Sequence, residues 1–507
     1  MHFRIRIKSC LVFMLLIQMG CTHVPVRSSS SVLAHADLQH LQAQINTSIQ
    51  QVNPHVSVGI HVISLAHNKT LYAKNPDQLF TPASTLKVVT AAAALHYLSP
   101  GYRFTTKLLT SVQKRTAGRL KDLYLVGDGD PTLTWSHLIR MANELKQRGI
   151  RVIEGDVVID DSAFDNLLWG KGWMWDDRFV AYSAPVEAVN CNSNSLQLRI
   201  VPARQVGKPA RVLMTPPTQF VNIQAQVTTG KRTVPQRISY TVKDPRFPNA
   251  RDLKQGLQNG QTILLEGTLP RTASPRIIHF AVGEPSLFTG TLLRELLQAQ
   301  GIQVKGKVRR GPAPEHAQQL AVHRSVLLRE MLVEILRTSN NHATEILLKT
   351  IGRHIQKGSV GSFKDGKKAL MHFLEQTAGI QSGELHVADA SGLSRYNAMT
   401  PRHITALESS MWRQFSLQPD FVGSFPTIKE NKKFIGQFLS EEQAKNIRVK
   451  TGSMKSVSNL VGYMVTHRGD PLGFAIFING FVGSAKIYRG LSEKILSILY
   501  KIPKISL

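Results

Sequence analysis

A serine and a lysine three positions apart, Ser84 and Lys87, are the first residues whose types and spacing suggest covalent chemistry. On a helix, positions i and i+3 share a face, so the serine hydroxyl and the lysine amine can meet. An apolar run, VVTAAAAL (88–95), follows the lysine, and burial lowers a lysine pKa until the amine can accept a serine proton. The S-x-x-K spacing alone is weak evidence, because residues 111–114 also fit it and a serine can equally begin a helix.

Two further short motifs combine hydroxyl, amide and amine side chains. The first, S-N-N over residues 339–341, interrupts a helical pattern, and its ordinary interpretation is a capped junction between helices. The second is the only K-T-G in the chain. It ends the strand-like run IRVK, where a glycine lets a substrate backbone approach; a surface lysine at a strand turn is the alternative. The candidate residues in these motifs are Ser339 and Asn341, then Lys450, Thr451, Gly452 and Ser453.

In this order the three motifs resemble the set found in penicillin-binding proteins and class A β-lactamases. Their first and second serines lie 339 − 84 = 255 positions apart, whereas compact β-lactamases place them much closer together. A long insertion between them is similar to the class C low-molecular-mass penicillin-binding proteins, the D-alanyl-D-alanine carboxypeptidase/endopeptidases. The similarity covers nearly the whole mature chain, through PASTLKVVTAAAAL (82–95), LYLVGDGDPTL (123–133), GDVVIDDSAFD (155–165), GWMWDDRFVAYSAPVEAVN (172–190), ADASGLSRYN (388–397) and VKTGSMKSVSNLVGYM (449–464).

This resemblance implies a penicillin-inhibited serine peptidase that acts on D-Ala–D-Xaa bonds of peptidoglycan stem peptides. Ser84 would attack the carbonyl carbon and form an acyl-enzyme, while Lys87 accepts its proton. Ser339 would relay a proton towards the leaving amine with Lys450 nearby, and Asn341 would bind the substrate backbone and orient Lys87. No cofactor or metal is implied, and the chain has no H-E-x-x-H zinc motif.

The same resemblance assigns groups that bind the substrate. The backbone N–H groups of Ser84 and Ser453 would form the oxyanion hole, and the hydroxyls of Thr451 and Ser453, beside Gly452, would hold the terminal carboxylate. Two positions depart from the family pattern. Ala390 replaces the usual glycine of D-G-S-G-L-S-R, and Ser453 replaces the commoner threonine but still offers a hydroxyl.

Specificity is assigned by resemblance to two charged residues. In the family, an aspartate of the second domain and an arginine of the S-G-L-S-R loop bind the amine and the carboxylate of a diaminopimelate side chain. The matching residues are Asp177 and Arg395, and each charge suits its partner. The neighbouring Asp176 is the residue most easily confused with Asp177. The alternative is that Asp177 and Arg395 are structural.

The N-terminus indicates an exported protein. Residues 1–20 have a basic start and an apolar stretch too short to span a membrane, which is typical of a signal peptide. Cys21 follows Gly20 as in bacterial lipoproteins, which predicts a lipid anchor. However, Gln18 replaces the usual aliphatic residue, and ordinary cleavage with soluble release is the alternative. The full chain has a formal net charge of +28, and removal of residues 1–20, with three basic and no acidic residues, would leave 28 − 3 = +25. We therefore expect a periplasmic protein whose positive charge meets cell wall or anionic lipid rather than nucleic acid.

The chain is long enough for two or three domains, and its patterning predicts an α/β (α+β) fold. Two stretches, 138–157 and 292–308, share a helix–glycine–strand pattern, so one helix–strand domain can be built from separated segments. The prediction is a β-lactamase/transpeptidase-like domain split by two inserted domains. Its parts are a signal peptide (1–20), a tether (21–36), the penicillin-binding domain (37–105 and 318–507), a helix–strand domain (106–194 and 284–317) and a β-rich domain (195–283).

Two other functions are compatible with parts of this evidence. A β-lactamase or esterase on the same scaffold would share the three motifs, but the long insertion and the side-chain-binding residues argue against it. A non-catalytic wall-binding protein would use the basic charge alone, and the intact motifs argue against that. Rapid turnover of penicillin would favour the first alternative, and a dispensable Ser84 would favour the second.

Overall fold

The computed structural model describes residues 35–111, 118–243, 261–430 and 438–504. Their helices are α1 (His35–Gln50), α2 (Lys87–Leu98), α3 (Trp135–Gln147), α4 (Pro285–Ala299), α5 (Leu328–Thr338), α6 (Asn341–Ile355), α7 (Phe363–Ala378), α8 (Pro401–Arg413), α9 (Gln418–Ser424), α10 (Glu441–Lys445) and α11 (Lys486–Tyr500). None of the helices in these four ranges is both long and apolar enough to cross a membrane.

The strands of the same ranges form several separate sheets. In chain order they are β1 (Ser57–Ser64), β2 (Lys69–Lys74), β3 (Thr105–Thr110), β4 (Arg119–Leu120), β5 (Leu123–Gly127), β6 (Val152–Ile153), β7 (Val157–Asp160), β8 (Ser195–Val201), β9 (Arg211–Thr215), β10 (Val221–Gly230), β11 (Arg237–Lys243), β12 (Gln261–Pro270), β13 (Arg276–Ala281), β14 (Gln303–Val304), β15 (Val308–Arg310), β16 (Gln318–Arg324), β17 (Ile447–Met454), β18 (Val457–Val465) and β19 (Pro471–Asn479).

One antiparallel sheet joins the two ends of the described chain. Its order is β17-β18-β19-β1-β2, so β17 with the K-T-G motif is an edge strand. The central strands are apolar on both faces because both faces are covered. Ile60 and Ile476 pack towards α1 and α11 in one buried cluster, and Ala475 and Phe477 belong to another cluster with α2, α6 and α8.

The helices that carry the first two motifs lie in the interior of that second cluster. Helix α2 is almost wholly buried, because its alanine run lets neighbouring helices approach closely. Residues 341–352 of α6 are also buried, polar ones included. Lys87 and Asn341, the first residues of α2 and α6, therefore begin helices that are packed on all sides, so their positions are fixed.

The segment between the first two motifs forms the other sheets. A five-stranded sheet has the order β15-β7-β5-β3-β16, and β14-β6-β4 and two three-stranded sheets, β10-β12-β11 and β13-β8-β9, complete the set in the described ranges. The two similar stretches noted in the sequence lie together, since α3 packs on α4 and β6 pairs in parallel with β14. Strand β16 pairs with β3, so this sheet extends to Arg324.

A single buried cluster connects the stretches that the sequence assigned to two inserted domains. It contains Leu125 and Ile159 of the helix–strand stretch together with Leu198, Ile263 and Phe280 of the β-rich stretch. The helix–strand stretch and the β-rich stretch therefore bury part of their apolar surface against each other. The mixture of helices and sheets is the α/β class that the sequence predicted.

Candidate active site

The first motif lies at a tight turn where a 3-10 helix becomes an α-helix. Ser84 belongs to the 3-10 helix Ala83–Leu86, and Lys87 is the first residue of α2. The sequence placed both residues on one helix; the structure keeps their side chains together through the tighter turn, in which i and i+3 eclipse. The amine nitrogen of Lys87 lies 3.1 Å from the Ser84 hydroxyl oxygen.

The turn before Ser84 is fixed to the sheet by one buried amide. Asn459 of β18 donates from Nδ2 to the carbonyl oxygens of Thr81, at 2.9 Å, and Pro82, at 3.0 Å. Gly452 of β17 packs on the same backbone: a Cβ there would lie 2.5 Å from the Pro82 oxygen. The K-T-G glycine is therefore needed for the strand to reach the serine turn.

Lys87 is fully buried and has three hydrogen-bond partners. Besides Ser84, its Nζ donates to the side-chain oxygen of Asn341 at 2.6 Å and to the backbone carbonyl of Ser391 at 2.6 Å. Burial lowers the pKa of Lys87 to about 7, and the negative charge of Asp389 opposes that shift. A substantial fraction of this amine is therefore neutral near pH 7, as a proton acceptor must be.

The second motif forms the junction between α5 and α6. Ser339 caps the C-terminus of α5 in the left-handed conformation, with φ 59° and ψ 44°. Asn340 caps α6, because its side-chain oxygen accepts from the backbone N–H of Ala343. This geometry turns Ser339 and Asn341 in different directions: Asn341 contacts Lys87, and Ser339 contacts the lysine of the third motif.

The third motif lies along edge strand β17. The Lys450 amine donates to the Ser339 hydroxyl at 3.0 Å and to the Thr451 carbonyl at 2.9 Å, and its side chain is buried. An edge strand presents backbone N–H and C=O groups that an extended peptide can pair with. Ser453 and Gly452 lie on this strand beside the 3-10 turn that carries Ser84.

A loop of residues 389–397 closes the base of the site. Asp389 is buried and accepts hydrogen bonds from the backbone N–H groups of Gly392 and Ser394, from Asn397 and from the Trp173 indole, at 2.7–2.9 Å. Aspartate here braces the loop rather than facing Ser84. Because Trp173 belongs to the inserted segment, Asp389 also joins that segment to the loop.

The two residues expected to set specificity lie at the rim. Asp177 ends the short 3-10 helix Trp175–Asp177, and its carboxylate accepts from the Tyr182 hydroxyl at 2.6 Å. Arg395 is exposed and donates to the carbonyl of Lys455, just after β17. Asp176 is more exposed than Asp177. Cys21, the expected lipidation site, lies outside the described residues.

Sequence reasoning missed several groups that hold the site together. The carbonyl of Tyr182 accepts from the Asn341 side chain at 2.8 Å, and the carbonyl of Ser391 accepts from Lys87. A backbone carbonyl leaves no signature in a sequence. Glu345 is different: it stands four positions after Asn341 on α6, so helical spacing alone places it on the same face.

The site has no evident metal centre. No group of three or more His, Cys, Asp or Glu side chains in the part of the chain that the structure describes could hold a metal ion. The arrangement instead joins a hydroxyl to a buried amine of lowered pKa, the pairing that activates a serine nucleophile.

Comparison with known proteins identifies the family. A family model described as the D-Ala-D-Ala carboxypeptidase 3 (S13) family matches residues 41–493. The chain belongs to this family. A D-alanyl-D-alanine carboxypeptidase of an Actinomadura species is 31% identical over 447 residues, which covers 85% of this chain and 79% of that protein. The likeness to class C penicillin-binding proteins that the motifs predicted is therefore confirmed.

Solved structures of this carboxypeptidase family confirm the fold. Penicillin binding protein 4 of Haemophilus influenzae matches with a TM-score of 0.77 at 27% identity, covering 90% of this chain and 99% of that one. The same protein in complex with a novel β-lactam matches with a TM-score of 0.73 at 25% identity, over the same shares of the two chains. The chain thus has the α/β penicillin-binding fold, as the sequence predicted.

Proposed function

We propose that this chain is a serine DD-peptidase that hydrolyses D-Ala–D-Ala bonds of peptidoglycan and is acylated by penicillin on Ser84. The observation that carries the proposal is the 3.1 Å contact between the Ser84 hydroxyl and the Lys87 amine. Family membership and the relatives named D-alanyl-D-alanine carboxypeptidase support the substrate. The family relative solved in complex with a β-lactam supports the drug as a ligand.

In the proposed acylation step, Ser84 Oγ attacks the carbonyl carbon of the penultimate D-alanine. The Oγ–H proton passes to the neutral Lys87 amine, and the carbonyl oxygen gains negative charge. Backbone N–H groups of Ser84 and Ser453 would bind that oxygen; one such donor contributes about 2.7–4 kcal/mol in a comparable serine hydrolase. The C–N bond then breaks, and the leaving amine takes a proton through the Ser339 hydroxyl.

The second lysine has a different proposed role. Lys450 holds Ser339 at 3.0 Å and would bring positive charge to the middle of β17, next to Thr451. Thr451 and Ser453 would bind the terminal carboxylate of the substrate with their hydroxyls, and an extended stem peptide would pair with β17. Water then hydrolyses the ester, returning the proton to Ser84 and releasing the shortened peptide.

Endopeptidase activity is a further part of the proposal. In a D-Ala–diaminopimelate cross-link, the amine of the acceptor diaminopimelate is the amide nitrogen that hydrolysis releases. The free amine and carboxylate to be recognised therefore belong to the diaminopimelate side chain of the donor stem. Asp177 and Arg395 would bind these two groups from opposite sides of the cleft. Asp177 accepts from the Tyr182 hydroxyl and Arg395 donates to the Lys455 carbonyl, and neither is among the hydrogen-bond partners of Lys87, which supports a role in recognition rather than in acylation.

We also propose export to the periplasm, with the protein attached to a membrane through lipidated Cys21. The proposed wall substrate lies outside the cytoplasmic membrane. A signal peptide over residues 1–20 would carry the protein across that membrane to it. Mass spectrometry of the purified native protein tests the anchor. We expect the mature protein to begin at Cys21 with a diacylglyceryl group on its sulfur. A mature protein that begins at another residue and carries no lipid would contradict the proposed anchor.

The test of the proposed function is the intact mass of the protein after incubation with benzylpenicillin, for the native chain and for Ser84→Ala. We expect one drug adduct on the native chain and none on the variant, together with release of D-alanine from a D-Ala–D-Ala pentapeptide by the native chain alone. Rapid loss of the drug without an adduct would indicate a β-lactamase. An adduct-free, inactive native chain would favour the wall-binding alternative.

A further inference from the structure

The second buried carboxyl at the base of the site is Glu345, on α6. It is fully buried, and its Oε1 accepts the backbone N–H of Ala390 at 3.0 Å and that of Ser391 at 2.8 Å. Ser391 in turn presents its carbonyl to the Lys87 amine at 2.6 Å. One carboxyl oxygen therefore holds the N–H side of Ser391, the residue whose carbonyl accepts from the proposed general base.

We propose that Glu345 is a positioning residue for the reaction: by holding the 390–391 backbone it places the Ser391 carbonyl on Lys87. This inference rests on the proposed function of the Ser84–Lys87 pair. Two neighbouring contacts support it. Thr90 of α2 donates to the Ala390 carbonyl at 2.9 Å, so the same peptide segment is clamped from both helices. Gly392 packs so tightly on the Ala83 carbonyl that any side chain would clash, which ties the segment to the nucleophile turn.

The local charges determine how Glu345 acts. Burial raises the pKa of Glu345 to about 8, with a further contribution from the charge of Asp389, so the carboxyl is mostly protonated at neutral pH. The other charged groups that bear on it are Lys87 of α2 and Lys349, one turn further along α6 and paired with Asp165 at 2.7 Å. A neutral Glu345 acts by accepting N–H groups through Oε1, and glutamine can accept the same two.

The Ser391 carbonyl also affects the protonation of Lys87. A carbonyl oxygen that accepts from an amine stabilises the charged ammonium form more than the neutral amine. If the 390–391 backbone moves away, the pKa of Lys87 falls further and the amine loses one of its three fixed partners. Loss of Glu345 should therefore both slow acylation and shift the acid limb of its pH profile to lower pH.

The experiment compares Glu345→Ala and Glu345→Gln with the native chain. Acylation by benzylpenicillin is followed by intact mass between pH 5 and 9. For alanine we expect at least a tenfold lower plateau rate and an acid limb displaced by about one pH unit to lower pH. For glutamine we expect a rate within about twofold of native and an unshifted limb.

Glu408→Ala is the matched control. Glu408 lies on α8 and, like Glu345, is fully buried with a pKa raised by burial. It faces the backbone of Gly462 and Phe474 rather than the active site. We expect both alanine variants to lower the melting temperature, because each removes a fully buried side chain, but only Glu345→Ala to move the acid limb. An alanine variant at 345 with native rate and limb, or a glutamine variant as impaired as alanine, would overturn the proposal.

A second readout separates this inference from the proposed function. The Cε resonance of Lys87, labelled with ¹³C and assigned with Lys87→Arg, reports the lysine pKa without any acylation. A native chain that forms no drug adduct would contradict the proposed function, yet the Lys87 titration would still be lowered in Glu345→Ala and unchanged in Glu345→Gln. An identical titration in all three proteins would contradict the role of Glu345.

Discussion

The cluster around Lys87 and the rim that carries Asp177 and Arg395 serve one cleft but are built in opposite ways. In the cluster, Lys87 is fully buried and has three hydrogen-bond partners. At the rim, Arg395 is exposed and has a single long contact at 3.2 Å. Burial fixes the position of the Lys87 amine and lowers its pKa, whereas the exposed Arg395 side chain is surrounded by solvent. Chemistry should therefore fail steeply when the cluster is altered, and recognition should fall gradually when the rim is altered.

The largest effect is expected for Lys87→Met, which keeps the length and apolar stem of lysine but removes the base. Positioned general bases contribute about 10²–10⁴-fold, so the acylation rate of Ser84 should fall by about 10³-fold. Stopped-flow measurement with a fluorescent penicillin gives the rate constant. A loss below tenfold would show that the proton has another acceptor.

Lys349→Met is the matched control for that loss. Lys349 is also deeply buried and its pKa is also lowered by burial, but it forms an ion pair with Asp165 and lies over the Phe363 ring, away from Ser84. We expect a lower melting temperature, because removing one partner leaves Asp165 uncompensated, with acylation near the native rate. An equal loss of acylation in both variants would mean that any buried lysine of this domain is needed for folding.

A smaller loss is expected for Gly452→Ala, which tests contact between β17 and the serine turn. The added Cβ would lie 2.5 Å from the Pro82 oxygen and 3.0 Å from Thr85 Cγ2, so strand and turn must separate. A displacement of about 1 Å can cost about 10²-fold in rate. Gly423→Ala on α9 is the control, because a Cβ there meets nothing within 4 Å. Native activity in both would refute the close fit.

The sequence predicted the cluster far better than the contacts that hold it. Ser84, Lys87 and Asn341 were nominated by type and spacing, and the structure joins them through Lys87. The carbonyls of Ser391 and Tyr182 were not predicted, since every residue has one and only the fold decides which points inward. Periodicity predicted a helix at the first motif, whereas the structure has a 3-10 turn there, preceded by Pro82, whose carbonyl packs against Gly452 of β17.

The inserted segment shows a different limit of sequence reasoning. The similar stretches 138–157 and 292–308 each carry their own helical period and glycine stop, and in the structure their helices pack together and their strands pair. The pairing of β16 with β3 was not foreseen, since it depends on a long-range register rather than on local pattern. Trp173, which bridges the insertion and Asp389, had no signal beyond its membership of a tryptophan-rich stretch.

The pH dependence should reflect the cluster alone. Because burial lowers the pKa of Lys87 to about 7, the amine becomes protonated as pH falls through that value and can no longer accept the Ser84 proton. The acylation rate should rise with pH through about 7, level off above it, and be about tenfold lower at pH 6 than on the plateau. The acylation rate of an Arg395→Ala variant should show the same dependence on pH as that of the native chain. A midpoint near 10 would mean that Lys87 is solvated and is not the base.

The smallest effect is expected at the rim, where Arg395→Ala and Asp177→Asn should change selectivity and leave the acylation rate with benzylpenicillin close to native. Exposed charge pairs contribute about 0.2–1 kcal/mol, which is at most about a fivefold change. We expect the ratio of kcat/KM for diaminopimelate-containing over lysine-containing peptides to fall by up to that factor in either variant. Asp176→Asn, one position away and more exposed, is the control and should keep the native ratio. An unchanged ratio in all three variants would remove Asp177 and Arg395 from substrate recognition, and the rim would then be structural.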